Sequence, residues 1–387
     1  MPNTPDIAHR MTDEMLDDLE KRIAEEYAKA SRDMQKKYIA WAEQFAEQEA
    51  KQKALLDAGK ITQKEYNDWR FRHEAIGKRW EAMKDVLAAD LENARNIALK
   101  IAGEKMPDVY ALNGNYAAYQ IEHDAGIDAG FTLYNHDTAK YLLKDTRQLM
   151  PPPSAKKAAE IAANKAMQWE KGKIQSAVMQ GILQGESAHK VAERLRGVAE
   201  MDYNASVRYA RTMTTSAQNA GRYESFRRAR DKRIDLEIEW VATLDGRTRH
   251  AHRLMHGQRT TVDEPFETPD GYTIYYPADC TGRSDAPQSE IWNCRCSLYG
   301  WVKGYAEETV KEAPGLRGMS FEDWQSGKTD PRDANKLTDN RMFGEYKELL
   351  GSKAPKSLKQ FQDIKYNDPE KWEELKRKAR EARSNGK

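Results

Sequence analysis

The feature that most restricts this chain is a series of apolar residues near its start: Leu16, Leu19, Ile23, Tyr27, Ala30, Met34, Tyr38, Trp41 and Phe45. Their separations run 3, 4, 4, 3, 4, 4, 3 and 4, an eleven-residue repeat. Such a repeat gives ~3.67 residues per turn, so the stripe stays on one side of a nearly straight helix. Thr12 or Asp13 caps the start, and Gly59, after Leu55 and Leu56, suits a left-handed stop. A helix over 13–57 is roughly 65 Å long. Thr62 followed by Glu65 then has capping-box spacing and opens a second stripe: Trp69, Ile76, Trp80, Met83, Leu87, Leu91, Ala94, Ala98 and Ile101. Residues 1–110 thus read as a long antiparallel helical hairpin, either self-contained or docked on neighbouring subunits.

Beyond it the pattern changes. Residues 111–153 read as an irregular linker, with a turn signal at Asn113-Gly114, glycines at 126 and 130, and a domain boundary at Pro151-Pro152-Pro153. Residues 154–304 form the next unit. Ile174, Val178, Ile182 and Leu183 share a helical face, Gly185 ends that helix, Ser187 caps the next, and a further helix covers about 203–230. In LEIEWVAT, Leu236, Ile238, Trp240 and Ala242 alternate as in a half-buried strand; YTIYY (272–276) and SLYGWV (297–302) are shorter strands. Residues 305–387 form a polar, partly helical, basic tail with one apolar anchor, MSFEDW (319–324), and a last helix from about Glu370. The fold class is α+β and predominantly helical.

Composition narrows the function. Hydrophobic residues are 39%, charged residues 32% and mean hydropathy −0.91, too polar for a compact enzyme whose every helix is buried. The Trp, Tyr and Leu content is too high for disorder. A net charge of +1 gives no whole-protein attraction to nucleic acid or membrane. No uncharged run approaches the ~20 residues that span a bilayer, and no apolar stretch follows the first charges, so neither membrane nor secretory signal is expected. The three cysteines, an odd number, sit in one short region and point to reduced thiols in a cytoplasm.

The densest chemistry lies between Trp240 and Cys296. His252 and His256, four apart, share a face if helical, and Cys294 and Cys296 share a side if extended; together they form a two-His, two-Cys set suited to zinc. Cys280 and His250 are possible replacements, and buried free thiols beside a surface histidine cluster are the alternative. Asp245, Arg247 and Arg249 follow the strand; Asp245 and His252 could serve a hydrolase as an acid–base pair. No nucleophile elbow, Walker loop or dinucleotide fingerprint accompanies them. Residues 205–233 carry a net +6, with Arg208, Arg211, Arg222, Arg227, Arg228 and Arg230 as candidate phosphate contacts, and the chain from Ser352 carries +5. A solvated basic face is the alternative.

In order, QGILQGESAHKVAERL, YARTMTTSAQNAGR, EWVATLDGRTRHAHRLMHGQ and NCRC resemble the phage Mu protein F-like domain of minor head proteins over roughly 170–302. The family pattern falls on Arg211, Thr212, Asn219, Gly221, Trp240, Asp245, Arg247, Thr248, His252, Gly257, Asn293, Cys294, Arg295 and Cys296. Some members carry Cys-x-x-Cys after the Asp-x-Arg-Thr turn and a His before the last motif, and look like zinc proteins. Here Arg249 and His252 occupy the two cysteine positions, and Ile291 stands near the upstream His. The resemblance implies a minor capsid protein of a tailed bacteriophage, made in the host cytoplasm and carried into the virion. Its partners would be the portal protein, major capsid or scaffold proteins, and packaged double-stranded DNA without sequence specificity. It implies a structural role; the rival is a metal-dependent nuclease or toxin-like effector carried in the head.

Overall fold

The computed structural model describes residues 6–143, 149, 156–306, 308, 310–328 and 336–385. The boundary expected at the triple proline lies outside them. The first helix, α1 (Ile7–Glu43), begins earlier than Thr12: Asp6 caps it by accepting from the His9 amide at 2.9 Å, while the Thr12 hydroxyl donates to the Ala8 carbonyl inside the helix. A turn at Gln44-Phe45 separates α1 from α2 (Ala46–Asp57), so the expected single rod is two helices. Gly59 adopts φ +67°, and the capping box of Thr62 and Glu65 opens α3 (Gln63–Arg70). A π-turn at Phe71–Ala75 follows, in which Arg70 and Glu74 form a buried pair at 2.8 Å. Ile76, expected on the apolar stripe, falls in the break after this turn and is exposed.

Helix α4 (Lys78–Ala125) runs straight through the segment expected to be an irregular linker. Asn113-Gly114 is not a turn but a close helix crossing. A Cβ on Gly221 would stand 2.3 Å from the Tyr110 carbonyl oxygen, and one on Gly114 would stand 3.1 Å from the Gly221 carbonyl oxygen. Packing has overridden the local turn preference. Gly126, at φ +68°, ends α4. Next come β1 (Ile127–Asp128), α5 (His136–Leu143), α6 (Lys156–Leu183) and α7 (Ala188–Asp231). Helix α7 packs along both α1 and α4, so the hairpin does not close its core alone. One core extends from Leu19 to Ala217 across these helices.

After α7 the chain builds a small sheet in the order β3 (Arg259–Thr261), β2 (Ile234–Val241), β6 (Ser297–Tyr305), all antiparallel. Leu236, Ile238 and Trp240 alternate inward on β2 as the sequence requires. The YTIYY strand is reduced to β5 (Thr273–Ile274), paired with β4 (Phe266–Glu267). Short helices α8 (His250–Met255) and α9 (Gln288–Ile291) flank the loops, and β7 (Lys311–Glu312) returns to β1. The expected anchor is α10 (Phe321–Lys328): the Trp324 indole donates to buried Glu122 at 2.7 Å, and Lys328 pairs with the same carboxylate at 2.9 Å. The tail is more ordered than its polarity suggests. Helices α11 (Lys336–Leu350), α12 (Leu358–Asn367) and α13 (Pro369–Asn385) close around Tyr346, Phe361 and Leu375. No described helix is long and apolar enough to cross a membrane.

Candidate functional site

The end of β2, the start of β6 and the middle of α7 meet at one point. Trp240 is fully buried at the end of β2 and stacks edge-on against His252 and Phe266. The chain then turns through Ala242–Thr248. Asp245 organises this turn: its carboxylate accepts from the Arg247 amide at 2.8 Å and takes both guanidinium arms of Arg295, at 2.6 and 2.7 Å. The Arg295 hydrogen bonds, with the Arg247 amide next, hold its carboxyl well below the usual carboxylate range. The Thr248 hydroxyl donates to the Thr243 carbonyl, and the Gly257 amide, at φ +82°, returns the chain to the Trp240 carbonyl at 2.9 Å.

Helix α7 supplies the opposite wall with hydroxyls and an amide. Thr212 accepts from the Asn293 amide at 3.1 Å, Thr215 donates to the Cys294 carbonyl at 2.6 Å, and the Asn219 amide donates to the Cys296 carbonyl at 3.0 Å. Asn293 itself stands at φ +54°, a conformation asparagine tolerates better than most residues. These contacts fix the backbone of the Asn-Cys-Arg-Cys segment and turn both thiols inward.

His252 faces those thiols. Its Nδ1 lies 3.4 Å from Cys296 Sγ and 3.6 Å from Cys294 Sγ, and all three residues are buried. Its Nε2 approaches Glu290 within 3.1 Å, without the alignment of a hydrogen bond. Burial opposes ionisation of Cys294, but hydrogen bonds from Cys296 and His252 outweigh it and hold this thiol well below its ordinary pKa. Cys296, donating to that sulfur, is pushed well above.

Two expected ligands are elsewhere. Helix α8 ends at Met255, so His256 has left the helical register; its Nδ1 accepts from the Ala242 amide at 3.2 Å instead. Cys280 is buried apart from the group, donates to the Ala278 carbonyl, and is pushed up to about 12 by burial. His250, also considered, is exposed at the start of α8. Glu290 carried no signal in the sequence, because α9 is too short to show a period.

The remaining donors fit zinc. Tetrahedral bonds of ~2.3 Å to sulfur and ~2.0–2.1 Å to nitrogen place those ligands ~3.5 Å apart, matching the observed 3.4 and 3.6 Å. Beside them lies a cavity of about 20 Å³, lined in part by Thr243, Arg249 and Asn293, enough for one water as a fourth ligand. Glu290 stands where a carboxylate orients a ligating imidazole.

The arginines expected to contact phosphate do not form one free row. Arg222 is fully buried, Arg211 pairs with Glu20 at 2.6 Å, Arg227 with Glu224 at 3.1 Å, and Arg230 with Asp231 at 2.7 Å. Arg228 donates to the Thr132 carbonyl and stacks on Tyr134. Arg208 is exposed and makes no ion pair among the described residues.

Residues 172–299 match the family described as Phage Mu protein F like protein. Minor head protein GP7 of Bacillus phage SPP1 is 26% identical over 254 residues, covering 65% of this chain and 74% of that protein. An NAD(+)–arginine ADP-ribosyltransferase, EFV, of Enterococcus faecalis is 26% identical over 212 residues, covering 55% of this chain but 41% of that protein. No solved structure matches the chain. The motif residues that α7 clamps, Asn293 to Cys296, lie within the matched span, so residues 172–299 form a phage Mu protein F-like domain.

Proposed function

We propose that the protein is a minor component of a tailed-phage head, made in the host cytoplasm and carried into the virion. Its Mu F-like domain would serve as an assembly joint against the portal protein, with major capsid or scaffold proteins as neighbours. The observation that carries this reading is that the motif's groups are engaged with one another. Asp245 is paired with both arms of Arg295, and buried His252 lies between two thiols and Glu290. Zinc held by His252, Cys294 and Cys296 would supply a cross-link between α8 and the start of β6, adding folding energy rather than turnover. Contact with packaged DNA would fall to Arg208 and the basic last helix, without base reading. Mixing the purified chain with portal protein at modest salt should give a co-migrating complex; separate migration would count against the portal assignment.

A second reading, an enzyme delivered in the head, draws on the printed activity of the Enterococcus faecalis relative, under half of which is matched. Transfer of labelled ADP-ribose from NAD to arginine-bearing substrates, or metal-dependent DNA cleavage lost on Asp245→Asn, would favour it.

A further inference from the structure

Between the first turns of α1, the middle of α7 and the turn after β2 lies a cavity of about 640 Å³, the size of a small-ligand site. Its walls differ in charge. Helix α1 contributes Asp13 and Asp17, four residues apart and therefore on one face. The turn and the start of α8 contribute Arg247 and Arg249. Two other guanidiniums on the wall are already matched, Arg211 by Glu20 and Arg295 by both oxygens of Asp245.

Asp13, Asp17, Arg247 and Arg249 are not matched in this way. Arg249 donates to the Trp292 carbonyl and makes no ion pair among the described residues. Arg247 lies 3.6 Å from Asp245, a carboxylate that Arg295 already occupies. Asp13 has only His9, at 3.9 Å, and Asp17 makes no ion pair among the described residues. None joins either carboxylate to Arg247 or Arg249, so the framework holds unlike charges apart across an open space. Toward the thiols the space narrows to the 20 Å³ recess, whose lining includes Arg247, Arg249 and Arg295 and no carboxylate. Thr214, 2% exposed, also lines the cavity, and its hydroxyl has no partner in the chain.

The composition of the wall selects the occupant. Leu16 is the one aliphatic side chain on it, and no Phe, Tyr or Trp lines it. A protein segment anchors through buried aromatic or aliphatic side chains, and a nucleobase stacks on an aromatic ring; neither finds a platform here. What fits is a polar molecule with an anionic group at one end and hydroxyls at the other. Guanidinium forks match phosphate, and a carboxylate accepts from sugar hydroxyls. We infer that this cavity binds a phosphorylated sugar, its phosphate on Arg247 and Arg249 and its hydroxyls on Asp13, Asp17 and Thr214. The recess has room for one phosphate oxygen. The site rests on these side chains alone and requires neither a metal at Cys294 nor the assembly role.

Isothermal titration calorimetry of the full chain with ribose 5-phosphate, inorganic phosphate and ribose tests this. Ribose 5-phosphate should bind at least about tenfold tighter than either half alone, because only it reaches both walls. Arg247→Gln should weaken ribose 5-phosphate and inorganic phosphate alike, by about tenfold or more. Asp13→Asn with Asp17→Asn should weaken ribose 5-phosphate by a similar factor and leave inorganic phosphate no weaker. All three positions are exposed, and an unchanged helical circular dichroism spectrum will show that the variants keep the fold. No binding of ribose 5-phosphate up to about 10 mM, equal affinity for it and inorganic phosphate, or indifference to the paired aspartate substitutions would overturn the inference.

Discussion

Arg222 offers the sharpest test of how the pieces are held together. Its side chain is fully buried and donates five hydrogen bonds: two to Asp6 at 2.7 Å each, two to Asn113 at 3.0 Å, and one to the Leu298 carbonyl at 2.9 Å. It thus ties the cap of α1, the middle of α4 and strand β6 to α7. Arg222→Met keeps the bulk and removes every donor. Breaking a buried pair costs about 3–5 kcal/mol, and orphaned acceptors add to the loss. Asp6 is 30% exposed, so water takes over part of its role and about 3–4 kcal/mol is expected. For a cooperative unit of about 200 residues, that lowers the melting temperature by about 6–16 °C. Thermal unfolding followed by circular dichroism reads this directly. The pH dependence gives a second signature. Burial alone raises the Asp6 pKa, but Arg222 outweighs it and holds the folded value below the ordinary 3.8. The pair's contribution is therefore present above that pH and is lost as pH falls through the folded value; the variant should lack this acid-side component. A fall of less than about 2 °C at neutral pH would refute the reasoning.

Other consequences follow from the same contacts. Metal analysis of chelator-free protein should find about one zinc per chain, abolished by Cys294→Ser; retention of the same content in that variant would end the metal assignment. Glu290→Gln should weaken zinc binding about 10–100-fold in chelator competition, through the imidazole it faces. Glu170, buried beside Arg95 and Asp202, is raised to about 7 by desolvation. A raised carboxyl favours folding below its unfolded value near 4.5, and that advantage is lost as pH climbs toward 7. Glu170→Gln should therefore gain about 3 kcal/mol over the wild type at pH 8 and little at pH 4, read from denaturant midpoints. Trp324→Ala should cost about 3–5 kcal/mol and expose the chain around α10 to protease.

The sequence was most legible where a period or a cap acts locally. The eleven-residue stripe marks the buried face of α1, the capping box marks α3, and alternation marks β2. It misled where distant packing decides. Asn113-Gly114 carries a turn signal, but the glycine serves a helix crossing and the asparagine accepts from Arg222, so α4 continues to Ala125. The basic count on α7 suggested a phosphate-binding row, yet those guanidiniums point round the helix and most are paired within the chain. At the thiol site, Cys294, Cys296 and His252 were visible as residue types; His256 depended on a helix that stops one residue short, and Glu290 on a four-residue helix with no period to reveal it.

A head component with a closed structural motif should travel with the particle. Quantitative mass spectrometry of purified proheads and virions, before and after protease treatment of the intact particles, measures that most directly. The chain should be present at a few copies per particle and be protected until the capsid is opened. Its absence from both particles while it accumulates free in the lysate would contradict the virion assignment.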